Sequence, residues 1–450
     1  MITLRILTAL VGVVYAALSI ATYSQLSYRW EYLGFWYQPP SIWETSVTVV
    51  LTGLLGMLLP VKEWTPTAFI KWVLYFVLIT PALIIPPQQG ALPRDILLTL
   101  FALIFLSSAF LFVFVKDGRP FRTIFITPRV LEWGVLMLWG AGTLAIFYVF
   151  WGQMQLVGLE DVYTQRDAAD SISSSAIVYV MGVMSGAVNP YLIVTGILKR
   201  RPWLIAAGVF GQIVIYSTLA GKIVIGSMLL TVGVLFAFRN GRVIFSRVFA
   251  AVSVFGALGP ALAISAPGGL AATLSSLIYM RILILPGVLV GVYTEFFSRY
   301  PVTYFSHSLV GRLFYEYPYG SASVGQVVGY YVTPVAGDDV NNYVANFIAG
   351  DGIAGFGVWG VPIIFGITGL WMWILAKCAG KLDQRLTCGM LMSSTTALAN
   401  SSLFTTILTG GGAALALLLY LHRSAEETEA AGLRQQTDKL SPPGAASRIL

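Results

Sequence analysis

The sequence predicts an all-α polytopic membrane protein from its composition, its repeated apolar runs and the placement of its basic residues. Of its 450 residues, 57% are hydrophobic and only 10% are charged, whereas an ordinary soluble protein carries about 25% charged residues. Apolar runs of the ~20 residues needed to cross a bilayer recur along the chain. The net charge of +7 comes from Lys and Arg in short loops between these runs, which indicates membrane topology rather than nucleic-acid binding.

About twelve apolar runs have the length and composition of membrane-spanning helices. The first follows an early arginine, Arg5. It is too long for a signal peptide and lacks a small-residue cleavage site, so we expect it to be retained as a helix. The predicted helices lie near 5–25, 44–61, 67–86, 95–115, 130–151, 173–198, 203–219, 223–238, 248–266, 353–376, 386–404 and 406–421.

Four basic clusters orient these helices, because the short cytoplasmic loops of membrane proteins are enriched in Lys and Arg. Each cluster falls an even number of crossings from the others if both chain termini are inside. We therefore expect both termini to be cytoplasmic. The clusters lie at 116–129, 199–201, 239–247 and 377–385.

The apolar run at 282–297 does not fit this count, because one crossing there would invert the basic clusters that follow it. We expect a re-entrant or surface-lying helix, which membrane proteins tolerate where backbone lines a cavity. The polar, aromatic-rich region at 267–352 is then a long outer loop and the expected functional site. Residues 1–424 are predicted to form a single transmembrane domain, and the polar tail at 425–450 is predicted to be disordered and cytoplasmic.

Four basic residues lie on the predicted outer side, against the topological trend: Arg166, Lys222, Arg281 and Arg299. Lys222 and Arg281 sit in apolar sequence, where a charge costs about 2.5–3.5 kcal/mol on insertion scales. Such a charge needs either an anionic ligand or a structural carboxylate as its partner. Arginine binds phosphate through a bidentate fork, so several such residues indicate a phosphate or diphosphate ligand. Arg166 lies in an acidic loop and is equally well explained by a solvated ion pair.

The same region supplies candidate general bases: Glu295, Glu316, Asp351 and His307. A base that activates a sugar hydroxyl needs a carboxylate or imidazole within hydrogen-bond reach of it. Asp351 lies between two glycines, where backbone can approach a ligand closely, although it is equally suited to cap a helix that starts near 353. His307 has the alternative of a structural hydrogen bond.

Tyrosines are concentrated in this outer region, which has two explanations. Tyr and Trp gather at membrane interfaces because one end of the ring system is polar and the other apolar. Pyranose rings also pack their C–H faces on aromatic side chains, so a sugar-stacking surface is the alternative. The tyrosines concerned are Tyr300, Tyr304, Tyr315, Tyr317, Tyr319, Tyr330 and Tyr331.

Several classes of enzyme are disfavoured by the absence of their motifs. The sequence contains no nucleophile elbow, Walker loop, Rossmann glycine pattern or HExxH. It has two histidines and two cysteines, the latter being Cys378 and Cys388, with no metal-ligand spacing. We expect neither a metal nor a cofactor.

An ordered set of short motifs resembles the Wzy-type oligosaccharide repeat-unit polymerases of bacteria over about residues 155–365. Two of them are Asp161–Arg166, which has the pattern DVYxxR, and the Ala-Gly-Lys turn at Ala220–Lys222. The others are Arg281, Pro286-Gly287, Tyr293, Phe296-Phe297-Ser298, Pro301, Ser306-His307-Ser308, Tyr317-Pro318-Tyr319, Gly325, Asn346-Phe347-Ile348-Ala349, Asp351-Gly352, Phe356-Gly357 and Gly360. Gly350 departs from the family pattern, where Ala is frequent.

The resemblance implies a GT-C-like fold and a metal-independent inverting glycosyltransferase at the periplasmic face of the bacterial inner membrane. Its donor and acceptor would be undecaprenyl-diphosphate-linked oligosaccharides for O-antigen, capsule or exopolysaccharide. A chain-length co-polymerase and a flippase are the expected partners. Arg281, Lys222 and Arg166 would hold the diphosphate, while the base stays open among Asp351, Glu295 and His307. Further substrate-binding candidates are Arg299, Tyr293, Tyr317, Tyr319 and Asn346.

Two alternatives to the polymerase stay open. An O-antigen ligase would share the fold and the donor but transfer the glycan to a lipid core. A flippase for lipid-linked oligosaccharides would place its charges near the bilayer midplane and show repeat symmetry. No internal repeat stands out in this sequence, and its unusual charges lie near the predicted outer boundary, which favours transfer chemistry.

Overall fold

A computed structural model describes residues 2–155, 175–219, 222–264, 276–308, 311–334 and 342–440. These residues are mostly helical and strands are nearly absent, which confirms the predicted helical class. The strands in the described part are the two-residue pairs Phe238–Arg239 and Arg242–Val243, which form an antiparallel hairpin, β1 and β2.

The helices are numbered here in chain order. Several of them contain short π-helical or 3₁₀ segments, which we treat as parts of one helix. They are α1 Ile2–Leu26, α2 Ile42–Leu58, α3 Pro66–Gln89, α4 Arg94–Phe114, α5 Pro128–Phe150, α6 Ser175–Leu198, α7 Pro202–Leu219, α8 Lys222–Leu235, α9 Phe245–Ile264, α10 Tyr279–Arg299, α11 Val324–Val332, α12 Phe347–Ala379, α13 Gln384–Asn400, α14 Leu403–Leu408 and α15 Gly412–Leu440.

Eight helices of the described part are long and apolar enough to cross a membrane, which is compatible with a multi-pass membrane protein. The spans predicted near 44–61, 203–219 and 223–238 correspond to shorter apolar helices. The predicted number of about twelve crossings therefore stays a prediction. The eight long helices are Ile2–Leu33, Pro66–Gln89, Arg94–Phe114, Pro128–Phe150, Ser175–Leu198, Phe245–Ala263, Tyr279–Arg299 and Phe347–Ala379.

The basic end of the molecule is held together by α15. The buried Arg423 donates from Nη1 to the carbonyl of Lys377 at 2.6 Å and from Nη2 to that of Phe121. One turn later Glu427 accepts from the Thr123 hydroxyl at 2.7 Å. These contacts fix the loop after α4 against the end of α12. They also explain why residues 425–440 continue as helix, where the sequence predicts disorder; 441–450 lie outside the described residues.

Helix α10 positions the region of interest. Its first turns belong to a π-helical segment, Ser276–Ile284, and it continues as an α-helix over Leu285–Arg299. Of its most apolar stretch, 83% is buried inside the protein. These first turns lie beside the C-terminal half of α1, where the Tyr279 hydroxyl donates to the carbonyl of Ser19 at 3.2 Å. The sequence predicts a re-entrant helix at 282–297. The structure has a continuous helix that is long enough to cross, so the path of α10 through a bilayer stays a prediction.

Two glycines allow α10 to pack tightly on α3. A Cβ at Gly287 would lie 2.3 Å from the carbonyl oxygen of Pro81, and a Cβ at Gly291 would lie 1.9 Å from the Gln89 side-chain oxygen. At Gly287 the obstacle is backbone, so any larger residue there must push the two helices apart. At Gly291 the obstacle is the end of the Gln89 side chain, which would have to move. This contact places the C-terminal turn of α10 above the end of α3.

We predict that Gly287→Val destabilises the protein by about 1–3 kcal/mol or more, because overpacking against backbone cannot be relieved by a rotamer change. The measurement is the midpoint of thermal unfolding of the detergent-purified protein, read by size-exclusion chromatography after heating. Gly134→Val in α5 is the matched control, because a Cβ there meets nothing within 4 Å. Equal midpoints for the two variants would contradict the proposed role of this contact.

Candidate functional site

A buried carboxylate lies at the C-terminal end of α10. Glu295 is 7% exposed, and its Oε1 accepts from the Tyr331 hydroxyl at 2.9 Å and from Arg299 Nη2 at 3.0 Å. Within the described part of the chain its second oxygen, Oε2, is buried and has no hydrogen-bond partner. We call Glu295, Arg299 and Tyr331 the Glu295 cluster. A buried carboxylate oxygen without a donor is costly, so this atom is available to a ligand proton.

The cluster is assembled from two helices. Glu295 and Arg299 share a face of α10 because they are four residues apart. Tyr331 comes from α11, which starts with a capping box in which Ser323 accepts from the Gln326 amide at 3.3 Å. Thr333, just after α11, donates to the carbonyl of Tyr32 at 2.9 Å. The tyrosine is thus fixed to the turn that follows α1.

Tyr331 is a hydrogen-bond donor throughout the physiological pH range. Burial first, and then its hydrogen bond to Glu295, raise the pKa of Tyr331 to about 12. Both effects favour the neutral phenol, because an ionised oxygen would be poorly solvated and would face the carboxylate. Arg299 Nη1 also donates to this hydroxyl at 3.2 Å. The phenol therefore bridges the cation and the carboxylate.

The rings of Phe296, Tyr300 and Tyr319 form an aromatic surface beside this cluster, which we call the aromatic shelf. The rings of Phe296 and Tyr300 are stacked with centroids 4.6 Å apart, and Phe296 meets the ring of Tyr331 edge-on at 5.4 Å. Tyr300 is 46% exposed, so one face of the shelf is open. Tyr319 lies on its other side and donates to the carbonyl of Pro301 at 2.5 Å. This arrangement permits stacking of an apolar ring face.

Tyr317 lies next to this shelf, with its ring 5.7 Å from that of Tyr319. Its hydroxyl is buried and has no hydrogen-bond partner among the described residues. Burial raises the pKa of both Tyr317 and Tyr319 to about 12, so each keeps its proton. The structure thus brings together Glu295, Arg299, Tyr317 and Tyr319 of the predicted site residues.

Asp351 has a different surrounding. It is fully buried in the π-helical start of α12, Phe347–Ile353. Its carboxylate accepts from the Ser402 hydroxyl and the Leu403 amide, both at 2.6 Å, and lies 3.3 Å from His307 Nε2. Leu403 is the first residue of α14, so Asp351 caps that helix. The alternative that it caps a helix starting near 353 is wrong, because it lies inside α12.

His307 uses both ring nitrogens within the protein. Nε2 faces Asp351, and Nδ1 lies 2.7 Å from the Thr303 hydroxyl, which also contacts the carbonyl of Ala354 at 2.9 Å. A base needs a free lone pair that points at the substrate, and neither His307 nor Asp351 offers one. We therefore assign them a structural role, in which they join the loop after α10 to the starts of α12 and α14.

The backbone before His307 is strained. Tyr304 and Phe305 have φ values of +48° and +63°, a left-handed conformation that costs a non-glycine residue about 1–3 kcal/mol. The hydrogen bonds of Thr303 and His307 to the start of α12 hold this turn in place. Glu316, the remaining predicted base, is exposed.

Arg281 lies away from the Glu295 cluster. It is 14 residues before Glu295 on the same helix, a separation of about 20 Å along the axis. The neighbouring Tyr279 contacts Ser19 of α1, whereas Val292 lies beside Gly34, well beyond the end of that helix. The two residues therefore lie at different levels of α10, and a shared reacting centre for Arg281 and Glu295 stays a prediction. Arg281 is exposed.

Two more predicted substrate-binding residues are structural. The buried Tyr293 donates to the carbonyl of Tyr343 at 2.7 Å. The side chain of Asn346 caps the start of α12 by accepting from the Ile348 and Ala349 amides, and it donates to the carbonyl of Pro286 at 2.9 Å. Both side chains are buried and hydrogen-bonded within the protein. Arg166 and the side chain of Lys222 lie outside the described residues.

Sequence reasoning missed three partners. Tyr331 was one of many tyrosines, and its pairing with Glu295 had no local signal because it comes from a separate helix. Ser402 lies more than 50 residues from Asp351. Thr303 had a weak signal, since its spacing of four residues from His307 suits a turn.

Comparison with family models, curated proteins and solved structures finds no match.

We predict that Asp351→Ala destabilises the fold by about 1–3 kcal/mol, because the Leu403 amide and the Ser402 hydroxyl are left unpaired in a buried place. Asp351→Asn, which keeps one acceptor oxygen, should lose less. Asp95→Ala is the control, since Asp95 is exposed in the first turn of α4. The readout is the thermal unfolding midpoint; an Asp351→Ala midpoint equal to that of Asp95→Ala would refute the capping role.

Proposed function

We propose that this protein is an inverting, metal-independent glycosyltransferase that polymerises undecaprenyl-diphosphate-linked oligosaccharide repeat units at the periplasmic face of a bacterial inner membrane. The observation that carries the proposal is Glu295: a buried carboxylate with one free oxygen, beside an exposed arginine and an open aromatic shelf. The sequence resemblance to Wzy-type polymerases supports it independently of this geometry.

Glu295 acts as the general base. The hydroxyl of the acceptor sugar gives its proton to Oε2 while its oxygen forms a bond to the anomeric carbon of the donor. The bond between that carbon and the diphosphate oxygen breaks on the opposite side, so the configuration inverts. The electron pair of the broken bond leaves with the diphosphate. Because Tyr331 and Arg299 both donate to Oε1, the accepting oxygen is held in one orientation.

Arg299 and the aromatic shelf supply binding. The guanidinium of Arg299 is 58% exposed and can neutralise the diphosphate as its charge develops, where fixed positive charge contributes most. Tyr300 and Tyr319 offer ring faces for the C–H face of a pyranose. The hydroxyl of Tyr317, which lacks a partner among the described residues, is suited to bond a sugar hydroxyl.

Arg281 fits a second substrate. A polymerase binds two lipid-linked substrates, and the acceptor reacts at the end of its oligosaccharide, far from its own diphosphate. Arg281 lies about 20 Å from Glu295 along α10, a separation that suits the two ends of a short oligosaccharide. We therefore assign Arg281 to the acceptor diphosphate and Arg299 to the diphosphate that leaves.

We expect Glu295→Gln to abolish polymerisation, because the amide cannot take up the acceptor proton. The measurement is the surface glycan ladder of a deletion strain complemented with each variant. Glu31→Gln is the control, since Glu31 is an exposed carboxylate in the turn after α1, and it should restore a full ladder. A normal ladder with Glu295→Gln would exclude this base. Lipid-linked polymer that stays unattached in the deletion strain would indicate a ligase instead.

The two arginines should separate kinetically in an assay with purified lipid-linked repeat units. Arg281→Ala is expected to raise the KM for the acceptor about tenfold or more with little change in kcat. The reason is that Arg281 would bind the acceptor diphosphate equally in the ground state and in the transition state. Arg299→Ala should instead lower kcat about tenfold or more. Arg281→Lys should recover only part of the affinity, since Lys lacks the bidentate fork. A fall in kcat with an unchanged KM for Arg281→Ala would contradict this assignment.

A further inference from the structure

A groove runs between α4 and α12, at the end of these helices opposite to the Glu295 cluster. Its volume is about 480 Å³. The floor is formed by two glycines of α12, and the walls come from both helices. The apolar lining residues are Phe110, Phe114, Gly366, Gly369, Leu370 and Trp373.

The groove is open to the outside of the helix bundle. Phe114 and Leu370 are mostly exposed, and a Cβ placed at Gly366 would meet nothing within 4 Å. Both α4 and α12 are among the helices long and apolar enough to cross a membrane. An outward-facing apolar groove on such helices lies in hydrocarbon, so its occupant must itself present a hydrocarbon chain.

One end of the groove is basic. Lys116 is exposed at its rim, and the ammonium of Lys377 lies over the ring of Trp373 at 4.1 Å. Arg119, also exposed, follows two residues after Asp117. The Asp117 carboxylate is occupied by Thr67, whose amide and hydroxyl donate to it at 3.2 and 3.1 Å. Lys116 precedes Asp117 in the chain, and a Cβ at Gly118 would lie 3.7 Å from Lys377 Cγ, so two cations lie close to a carboxylate that is already bonded.

We propose that this groove binds an anionic phospholipid, with an acyl chain over Gly366 and Gly369 and the phosphate beside Lys116. The apolar floor and the basic rim are adjacent, as are the chain and the headgroup of a lipid. Basic residues at a membrane surface favour anionic over neutral headgroups. A second copy of this chain is a poorer occupant, because its own basic rim would be repelled.

This proposal is independent of the proposed function. Lys377 lies at the end of α12, whereas Asp351 and the neighbouring loop lie at its start. The test therefore uses binding and not activity. The full-length protein, purified in detergent, is mixed with phosphatidylglycerol or phosphatidylcholine, and bound lipid is counted by native mass spectrometry.

We expect the wild type to retain phosphatidylglycerol in preference to phosphatidylcholine. Lys116→Ala should weaken phosphatidylglycerol retention about fivefold, as expected for one surface cation. Gly366→Leu should abolish retention of both lipids by filling the groove without a clash. Gly134→Leu is the matched control, because it adds the same side chain to an open position of another long apolar helix and should bind as the wild type does.

Three results would overturn the proposal. Equal retention of the two lipids would exclude recognition of the headgroup. Unchanged retention in Gly366→Leu would place the bound lipid elsewhere. A dimer in the wild type that dissociates in Gly366→Leu would show that a second copy fills the groove. Lys116→Ala changes only an exposed side chain, so it keeps the test decisive if Gly366→Leu fails to fold.

Discussion

The tight packing of α10 on α3 is the constraint on which the candidate site depends. Gly287 leaves no room for a side chain against the backbone of α3, and Gly291 packs on the Gln89 side chain, so these two contacts set the rotation of α10 about its axis. That rotation turns Glu295, one turn after Gly291, towards α11 and not towards lipid. A small change in this contact would expose the buried carboxylate of Glu295 to water.

The two carboxylates of the outer region show how burial alone fails to identify a base. Asp351 is the more deeply buried, yet its acceptor capacity is used by Ser402, Leu403 and His307. Glu295 has both of its donors on one oxygen and none on the other. The free-energy cost of burying that second oxygen is not offset by a hydrogen bond within the described residues, which is expected where a function requires an unpaired group.

The helical class could be predicted from composition and from the apolar runs, and the run at 282–297 predicts a helix that joins Arg281 to Glu295. The partners of the site residues could not be predicted, because Tyr331 comes from a separate helix. Asn346 and Tyr293 were candidates through the family resemblance alone; their side chains donate to backbone carbonyls, which no side-chain pattern reveals.

The separation of Arg281 from Glu295 changes what the chemistry requires. A single diphosphate cannot contact both residues when they are about 20 Å apart on a rigid helix. In the proposed reaction two lipid-linked substrates are joined, so one cation would lie at the reacting carbon and another at the far end of the acceptor. The length of α10 between these residues would then set the size of the repeat unit that bridges them, since a shorter oligosaccharide could not reach Glu295 while its diphosphate stayed on Arg281.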